Sequence, residues 1–274
     1  MGICTLIVNP SSGGEMASSY LELMETQLRN MFEEVTVKET GKQGDAMKFA
    51  YEAAKNGHEA VFCMGGDGTV NDLARALGIP LDPGQAIEMF ETAVLLDLDI
   101  GKVNDRYFVS NVAAGAIPEA VEEVSVEQKT KLGPLAYFIE GGKALANQPM
   151  HRFRITVDEE TFTQESPLLL IALTNSIASF ERFMPQAEVD DGKMRMVVFK
   201  EFSLLDSLKI LPQLIMGELK NSDTVIYRTF KHATVAIADG DKLITNVDGD
   251  EGPAFPLEIA ILPSFIKVYG PARS

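Results

Sequence analysis

Residues 3–64 repeat one rhythm, and that rhythm limits the folds open to this chain. ICTLIV at 3–8 is an apolar run closed by Asn9-Pro10-Ser11-Ser12-Gly13-Gly14. From Met16 to Phe32 apolar residues recur at helical spacing, at Leu21, Met24, Leu28 and Met31. EVTVKE at 34–39 alternates like a strand, Gly44 to Lys55 reads as a helix, and AVFCM at 60–64 reads as a buried strand. A β-α-β-α-β order implies a parallel sheet with helices on its faces. Ligands of such sheets bind beyond the carboxyl ends of the strands. Asn9-Pro10 and the loop after Met64 are therefore expected on the ligand edge.

That second loop reads Gly65-Gly66-Asp67-Gly68-Thr69. A tight turn explains it, since glycine tolerates positive φ and aspartate caps helices. A phosphate cradle explains it equally well. Main chain without Cβ atoms lets an anion approach, and helix N-terminal N–H groups attract it. An aspartate in such a cradle needs a cation between itself and the phosphate, which points to Mg²⁺-nucleotide.

Composition excludes several classes. The 274 residues carry a formal charge of −16, so nucleic acid is not expected as a partner. Strong attraction to anionic lipid is likewise not expected. Cys4 and Cys63 sit in apolar runs and form neither a disulfide framework nor a zinc site. His58, His151 and His232 are isolated and read as surface or structural. No leader or membrane span is recognised, so a reducing cytoplasm is the expected compartment.

After Asp82-Pro83-Gly84 the pattern changes. Residues 93–100, a turn at 101–106 and residues 107–112 read as a hairpin. Helices are expected near 117–124 and 133–146. Strands are expected at 151–157, 168–175, 194–199, 224–228, 232–237, 242–247, 256–261 and 265–269, with an apolar helix at 203–219 that reads as core or as a lipid contact. The expected fold is α/β: a Rossmann-like nucleotide domain at 1–100 and a β-rich sandwich domain at 101–274, whose last strand is free to return to the first domain.

Five elements, in order, resemble the diacylglycerol-kinase-type catalytic domain of bacterial lipid kinases, related to sphingosine kinases and distantly to NAD kinases. They are Asn9-Pro10 with Ser12-Gly13, Thr40 with Gly44-Asp45-Ala46, Gly65 to Thr69, the PQAEVDDGKM stretch ending at Met194, and Asn246 to Gly249. The resemblance implies γ-phosphoryl transfer from ATP, with Mg²⁺, to a lipid hydroxyl such as that of diacylglycerol. It implies a cytoplasmic protein that visits the membrane surface, and it leaves a homodimer open. Nucleotide would meet Asn9, Pro10, Ser12, Gly13, Thr40, Gly65, Gly66, Asp67, Gly68 and Thr69. Metal would involve Asp67, Asp72 and, in the DDG loop, Asp191. Asp67 would also serve catalysis, and Asp250 or Glu251 would be the base.

Three departures qualify this. The family's two motifs, G-G-D-G-T-x-N-E and G-T-x-N-D-F-A-R, are fused between Gly65 and Arg75, as though about two dozen residues were missing between them. Asp67 and Asp72, normally from different strands, lie five positions apart. The family's D-G-E reads Asp248-Gly249-Asp250-Glu251, so the base is either a shortened Asp250 or a shifted Glu251. Losing a methylene moves a carboxylate by about 1 Å, which can cost about 10²-fold in rate. Asp248-Gly249 also reads as a plain hairpin turn. Third, SIASFERFM at 176–184, with Phe180, Arg182, Phe183 and Met184, replaces the family's glycine cluster. A protein of this fold that binds nucleotide or lipid with little chemistry is the alternative, and an NAD-kinase-like enzyme is a more distant one. Asp99, an acid in an otherwise apolar strand, needs a partner.

Overall fold

In the computed structural model, residues 2–10, 17–42, 44–65, 68–115, 149–175, 187–200, 221–238 and 243–272 are described. Helices expected at 117–124, 133–146 and 203–219, and the stretch 176–184, lie outside them. So do Ser12, Gly13, Gly66 and Asp67. The chain divides into one unit of residues 1–95 with 269–274 and a second of residues 96–268.

The first unit runs β1 (Ile3–Val8), α1 (Ala17–Met31), β2 (Glu34–Glu39), α2 (Asp45–Lys55), β3 (Ala60–Met64), α3 (Gly68–Leu77) and α4 (Pro83–Met89). The three strands form a parallel sheet in the order β2-β1-β3. Cys4, Leu6 and Val8 of β1 join Val35 and Phe62 against Met24 and Leu28 of α1, in one core cluster. These alternate positions share a sheet face, so every second residue must be apolar. Burial pushes the Cys4 thiol up to about 11, leaving it protonated and packed as a small hydrophobe. On the other face, Val61 of β3 is 38% exposed. Among the described residues, no strand pairs with the outer edge of β3.

The second unit contains β4 (Val94–Val103, entered from the first unit), β5 (Arg106–Phe108), β6 (Asn111–Gly115), β7 (His151–Val157), β8 (Glu160–Ser166), β9 (Leu168–Ala172), β10 (Met194–Phe199), β11 (Val225–Phe230), β12 (His232–Ile237), β13 (Thr245–Val247), β14 (Asp250–Glu251) and β15 (Leu257–Gly270, which ends in the first unit). They form two six-stranded sheets, β11-β10-β9-β6-β13-β14 and β5-β4-β15-β12-β7-β8. Neighbours pair antiparallel at β6–β9, β9–β10, β7–β8 and β12–β15. Val112, Ile171, Met196 and Val247 from one sheet pack with Phe153, Ile155, Val235 and Ile259 from the other. This is a β-sandwich built on alternating inward residues. The reverse face of the first sheet carries a second cluster, with Ala113, Leu170, Val197 and Val225. A strand buried on both faces reads as a continuous apolar run, and β10 is buried at all six positions.

Several sequence expectations are corrected. The hairpin at 93–112 turns at Asn104-Asp105, not over 101–106, because β4 continues to Val103, whose side chain is fully buried. The strands expected at 256–261 and 265–269 are one strand, with positive φ at Ser264 where it was expected to break. β8 was missed because ETFTQES is polar on its exposed positions and gives little apolar signal. α3 and α4 follow the glycine loop, α4 being capped by Asp82, whose carboxylate accepts from Gln85 N–H at 3.0 Å.

Gly115 ends β6 with φ +107, and a Cβ there would lie 2.1 Å from the Pro167 carbonyl oxygen. That oxygen is main chain and has little room to yield. Gly115→Ala is expected to cost more than about 3 kcal/mol of stability. Urea unfolding measures it, and a loss within experimental error would show that the β6–β9 pairing adapts.

Candidate active site

The first unit gathers three loops at the carboxyl edge of its sheet. Asn9 follows β1 and donates its N–H to the Met64 carbonyl at 2.9 Å. Thr40 follows β2 and donates N–H and hydroxyl to the Val8 carbonyl, at 2.8 and 3.3 Å. Gly65 follows β3 with φ +138, a conformation glycine adopts without strain. The structure thus brings Asn9, Pro10, Thr40 and Gly65 to one edge, and α3 starts three residues further on, at Gly68. A helix N-terminus beside such a loop presents N–H groups and a partial positive charge, a setting suited to phosphate. The loop after β2 is braced by Asp45, whose carboxylate accepts from the N–H groups of Gly41 (2.9 Å) and Lys42 (3.0 Å). The Gly41 N–H bond, more than any other influence, holds the Asp45 carboxyl below its ordinary value.

Asp72 lies on α3 and is buried. Arg75, one turn on, donates to its Oδ1 at 3.1 Å. The only carboxylate from the fused motif that the structure describes is thus matched to a cation of its own helix.

The second unit holds the C-terminal motif. Asp248 and Gly249, with φ +53 and +96, form the two-residue loop of the β13–β14 hairpin, so Asp248-Gly249 does act as the turn its sequence suggests. The Asp248 side chain turns inward. Its Oδ2 accepts from Val109 N–H at 2.8 Å, and its Oδ1 accepts from Ser110 and Asn111 N–H at 2.9 Å each. Burial pushes the Asp248 carboxyl above its ordinary value, outweighing the three N–H donors and Arg106, which pull it down. Arg106 of β5 reaches β14, with Nη2 donating to Asp250 Oδ2 at 3.1 Å and Nη1 to the Glu251 carbonyl.

In the DDG loop, Asp191 is held by Arg195, which is only 4% exposed. Nη1 donates to Oδ1 at 3.0 Å and Nη2 donates to Oδ2. Lys193 N–H also donates to Asp191 Oδ1, at 3.0 Å. A carboxylate occupied in this way is poorly placed to bind a metal ion. Asp99 finds the partners that burial demands in main chain: Oδ2 accepts from Gly192 N–H at 2.7 Å and Oδ1 from Ser264 N–H at 2.8 Å. It ties the DDG loop to β15. Among the described residues, no group of three His, Cys, Asp or Glu side chains is arranged to hold a metal.

Sequence reasoning missed Arg195, Arg106 and the inward role of Asp248. Arg195 had a signal, a lone cation inside the apolar MRMVVF strand. Arg106 had none, because its partner lies 144 positions away.

Two family profiles match in sequence: "Diacylglycerol kinase catalytic domain" over residues 4–72, and "YegS C-terminal NAD kinase beta sandwich-like domain" over residues 110–270. The second alone covers more than half of the chain. The chain belongs to the diacylglycerol kinase family of bacterial lipid kinases. A protein of Staphylococcus carnosus named "Diacylglycerol kinase" is 32% identical, with 97% of this chain and 94% of that one covered. One of the same name from Bacillus subtilis is 30% identical, with 97% and 95% covered. A crystal structure of a diacylglycerol kinase from Bacillus anthracis has the same fold, with a TM-score of 0.78 at 22% identity over 97% of this chain and 96% of that one.

The Staphylococcus carnosus alignment spans 290 positions, whereas 97% of 274 residues is about 266. At the difference, about 24 positions, that member of the family has residues that this chain lacks. The catalytic-domain match ends at Asp72, inside α3.

Proposed function

We propose that this member of the family transfers the γ-phosphoryl group of ATP to a lipid hydroxyl, with Mg²⁺ as cofactor, at a membrane surface it visits transiently. The observation that carries the reading is the order of the family's motifs along the chain. The loops after β1, β2 and β3 stand at the carboxyl edge of the parallel sheet, and the N-x-D-G motif stands at the tip of a hairpin in the sandwich. The names of the relatives support a lipid as acceptor, diacylglycerol among them. Among the described residues no helix is long and apolar enough to cross a membrane.

In this reading the loops after β1, β2 and β3 position the phosphates through main-chain N–H groups, and a carboxylate base takes the proton of the attacking hydroxyl. Such catalysis is mostly positioning and charge stabilisation. Mg²⁺ would supply neutralisation of phosphate charge. Asp72 and Asp191 do not suit it as ligands while Arg75 and Arg195 hold them.

A second reading has specific support. The alignment positions this chain lacks, the edge of β3 that no strand among the described residues pairs with, and the arginine-held Asp72 favour a protein that binds nucleotide or lipid but does little chemistry. Titration calorimetry separates the two. ATP with Mg²⁺ is expected to bind in the micromolar to millimolar range usual for enzyme substrates. Asp67→Ala is expected to weaken binding about tenfold or more, the scale of one charge-assisted contact. Binding without turnover on any lipid hydroxyl supports the second reading, and no binding by a well-folded chain removes both nucleotide readings.

A further inference from the structure

We propose that the outer edge of β3 pairs with β3 of a second copy of this chain, joining two three-stranded sheets into one, whatever chemistry the chain performs.

Two main-chain bonds show which way each strand of the sheet turns its polar groups. The Val8 carbonyl of β1 accepts from Thr40 N–H, just beyond β2, and the Met64 carbonyl of β3 accepts from Asn9 N–H, just beyond β1. In a parallel ladder every second residue turns both its N–H and its C=O to the same neighbour. The even residues of β1 therefore bond to β2 and the odd ones to β3. Leu6 stands beside Phe62 and Val8 beside Met64 in the register. Ala60, Phe62 and Met64 thus use their N–H and C=O on β1, while Val61 and Cys63 turn theirs outward. Among the described residues no strand meets them. Both side chains are exposed, Val61 at 38%.

Sequence and position disagree at this edge. AVFCM is an unbroken apolar run, the pattern of an interior strand of a parallel sheet. Edge strands are ordinarily blunted by charge, proline or a bulge. The opposite edge of the same sheet is blunted in this way, since β2 exposes Glu34, Lys38 and Glu39. β3 carries no charge and no proline, and the acid beside it, Glu59, precedes the strand. The Staphylococcus carnosus protein has residues at about 24 alignment positions that this chain lacks, enough for one helix and one strand.

A second copy fits because the edge complements itself. With the two strands antiparallel about a two-fold axis at Phe62, each Val61 stands opposite Cys63 of the other copy, and each such pair exchanges both N–H···O=C bonds. Every group that these residues turn outward is then satisfied. The contact is isologous and closes at two copies, because the charged β2 edges end the joined sheet. A strand pair alone is smaller than the about 1,200–2,000 Å² that a specific interface buries. The same unit offers more apolar surface. α2 packs on β1 and β3 and exposes Met47 at 76% and Tyr51 at 69%, one turn apart on one side of the helix.

Sedimentation equilibrium on the full chain tests this. The unsubstituted protein is expected to dimerise with a Kd of about 1 µM or tighter, the range found for interfaces of this kind. Val61→Pro removes an outward donor without touching the β1 ladder, and proline is compatible with an edge strand. Val61→Lys places a charge on the edge. Each is expected to raise Kd about tenfold or more, with an unchanged circular dichroism spectrum. Amide exchange of the unsubstituted chain reads the contact even if a variant fails to fold. The Val61 and Cys63 N–H groups are expected to be protected at about 100 µM and to exchange freely on dilution below Kd, while Phe62 N–H stays protected throughout. A chain that remains monomeric at the higher concentration overturns the proposal and leaves the edge to a different protein. A dimer that both variants leave at full strength overturns it too, because the interface then lies elsewhere. So do Val61 and Cys63 amides that exchange at one rate at both concentrations.

Discussion

Asp248→Ala is expected to lower the unfolding free energy by about 3–5 kcal/mol, since three main-chain N–H groups lose their acceptor and each costs about 1–3 kcal/mol when left without one. The three are those of Val109, Ser110 and Asn111, at 2.8–2.9 Å from the carboxylate. They link the β5–β6 turn to the β13–β14 hairpin, more than 130 positions away in sequence. Asp248→Asn is the milder change. Its one carbonyl oxygen can still accept from Ser110 and Asn111, but its N–H₂ group faces the Val109 N–H, for a loss of about 1–3 kcal/mol. Urea unfolding of both variants checks this. An Asp248→Ala loss below about 1 kcal/mol would mean that water replaces the carboxylate freely.

The same residue predicts a pH dependence. Burial, the largest influence, raises the folded Asp248 carboxyl above its ordinary 3.8. The folded chain then keeps a proton that the unfolded chain has already released. The stability this group contributes is full below the unfolded value and is lost as pH rises through the folded one. Relative to Asp248→Asn, the unsubstituted chain should therefore lose stability as pH is raised from below 3.8 into the window just above it. A difference that grows with pH across that window would show that the N–H donors outweigh burial.

The second large effect is Asp191→Ala, expected to cost about 3–5 kcal/mol because it deprives a buried guanidinium of its counter-ion. Arg195 is 4% exposed and donates to both carboxylate oxygens of Asp191. Replacing both residues, as in Asp191→Ala with Arg195→Met, should be less damaging than Asp191→Ala alone, since an apolar side chain suits the site better than a charge without its partner. Thermal or urea unfolding gives the comparison. Repeating it with millimolar Mg²⁺ tests the metal role that the DDG motif suggests. A bound ion stabilises the folded state by mass action. A Mg²⁺-dependent gain that vanishes in Asp191→Ala would restore Asp191 as a ligand, at the expense of its pairing with Arg195.

These residues show where sequence reading succeeds and where it stops. The strands at 3–8, 34–39, 60–64, 151–157, 194–199 and 232–237 were legible to the residue. Each shows either the alternation set by the pleat or a continuous apolar run. β8 was not legible, because a strand at the edge of its sheet needs few apolar side chains and ETFTQES has only one aromatic. β15 was split in two because Pro263-Ser264 resembles a break, yet the strand continues through a residue at φ +47.

The site divides in the same way. That Gly65 to Thr69 would follow a strand and open a helix is a local matter, decided by the absence of Cβ atoms and by the apolar run before it. Whether a particular aspartate is open to a ligand is not local. Asp72, Asp191 and Asp99 all carry the same carboxylate, and their sequence neighbours do not say which partner each takes. The structure gives the first to Arg75, the second to Arg195 and the third to two main-chain N–H groups.

The sequence by itself determined the two architectures and the family, because hydrophobic period and glycine placement act over a few residues at a time. Only the tertiary structure decided which carboxylates are already occupied. A carboxylate's chemistry depends on the charges and donors within a few ångströms. Here those come from as far as 165 positions along the chain, as when Ser264 caps Asp99.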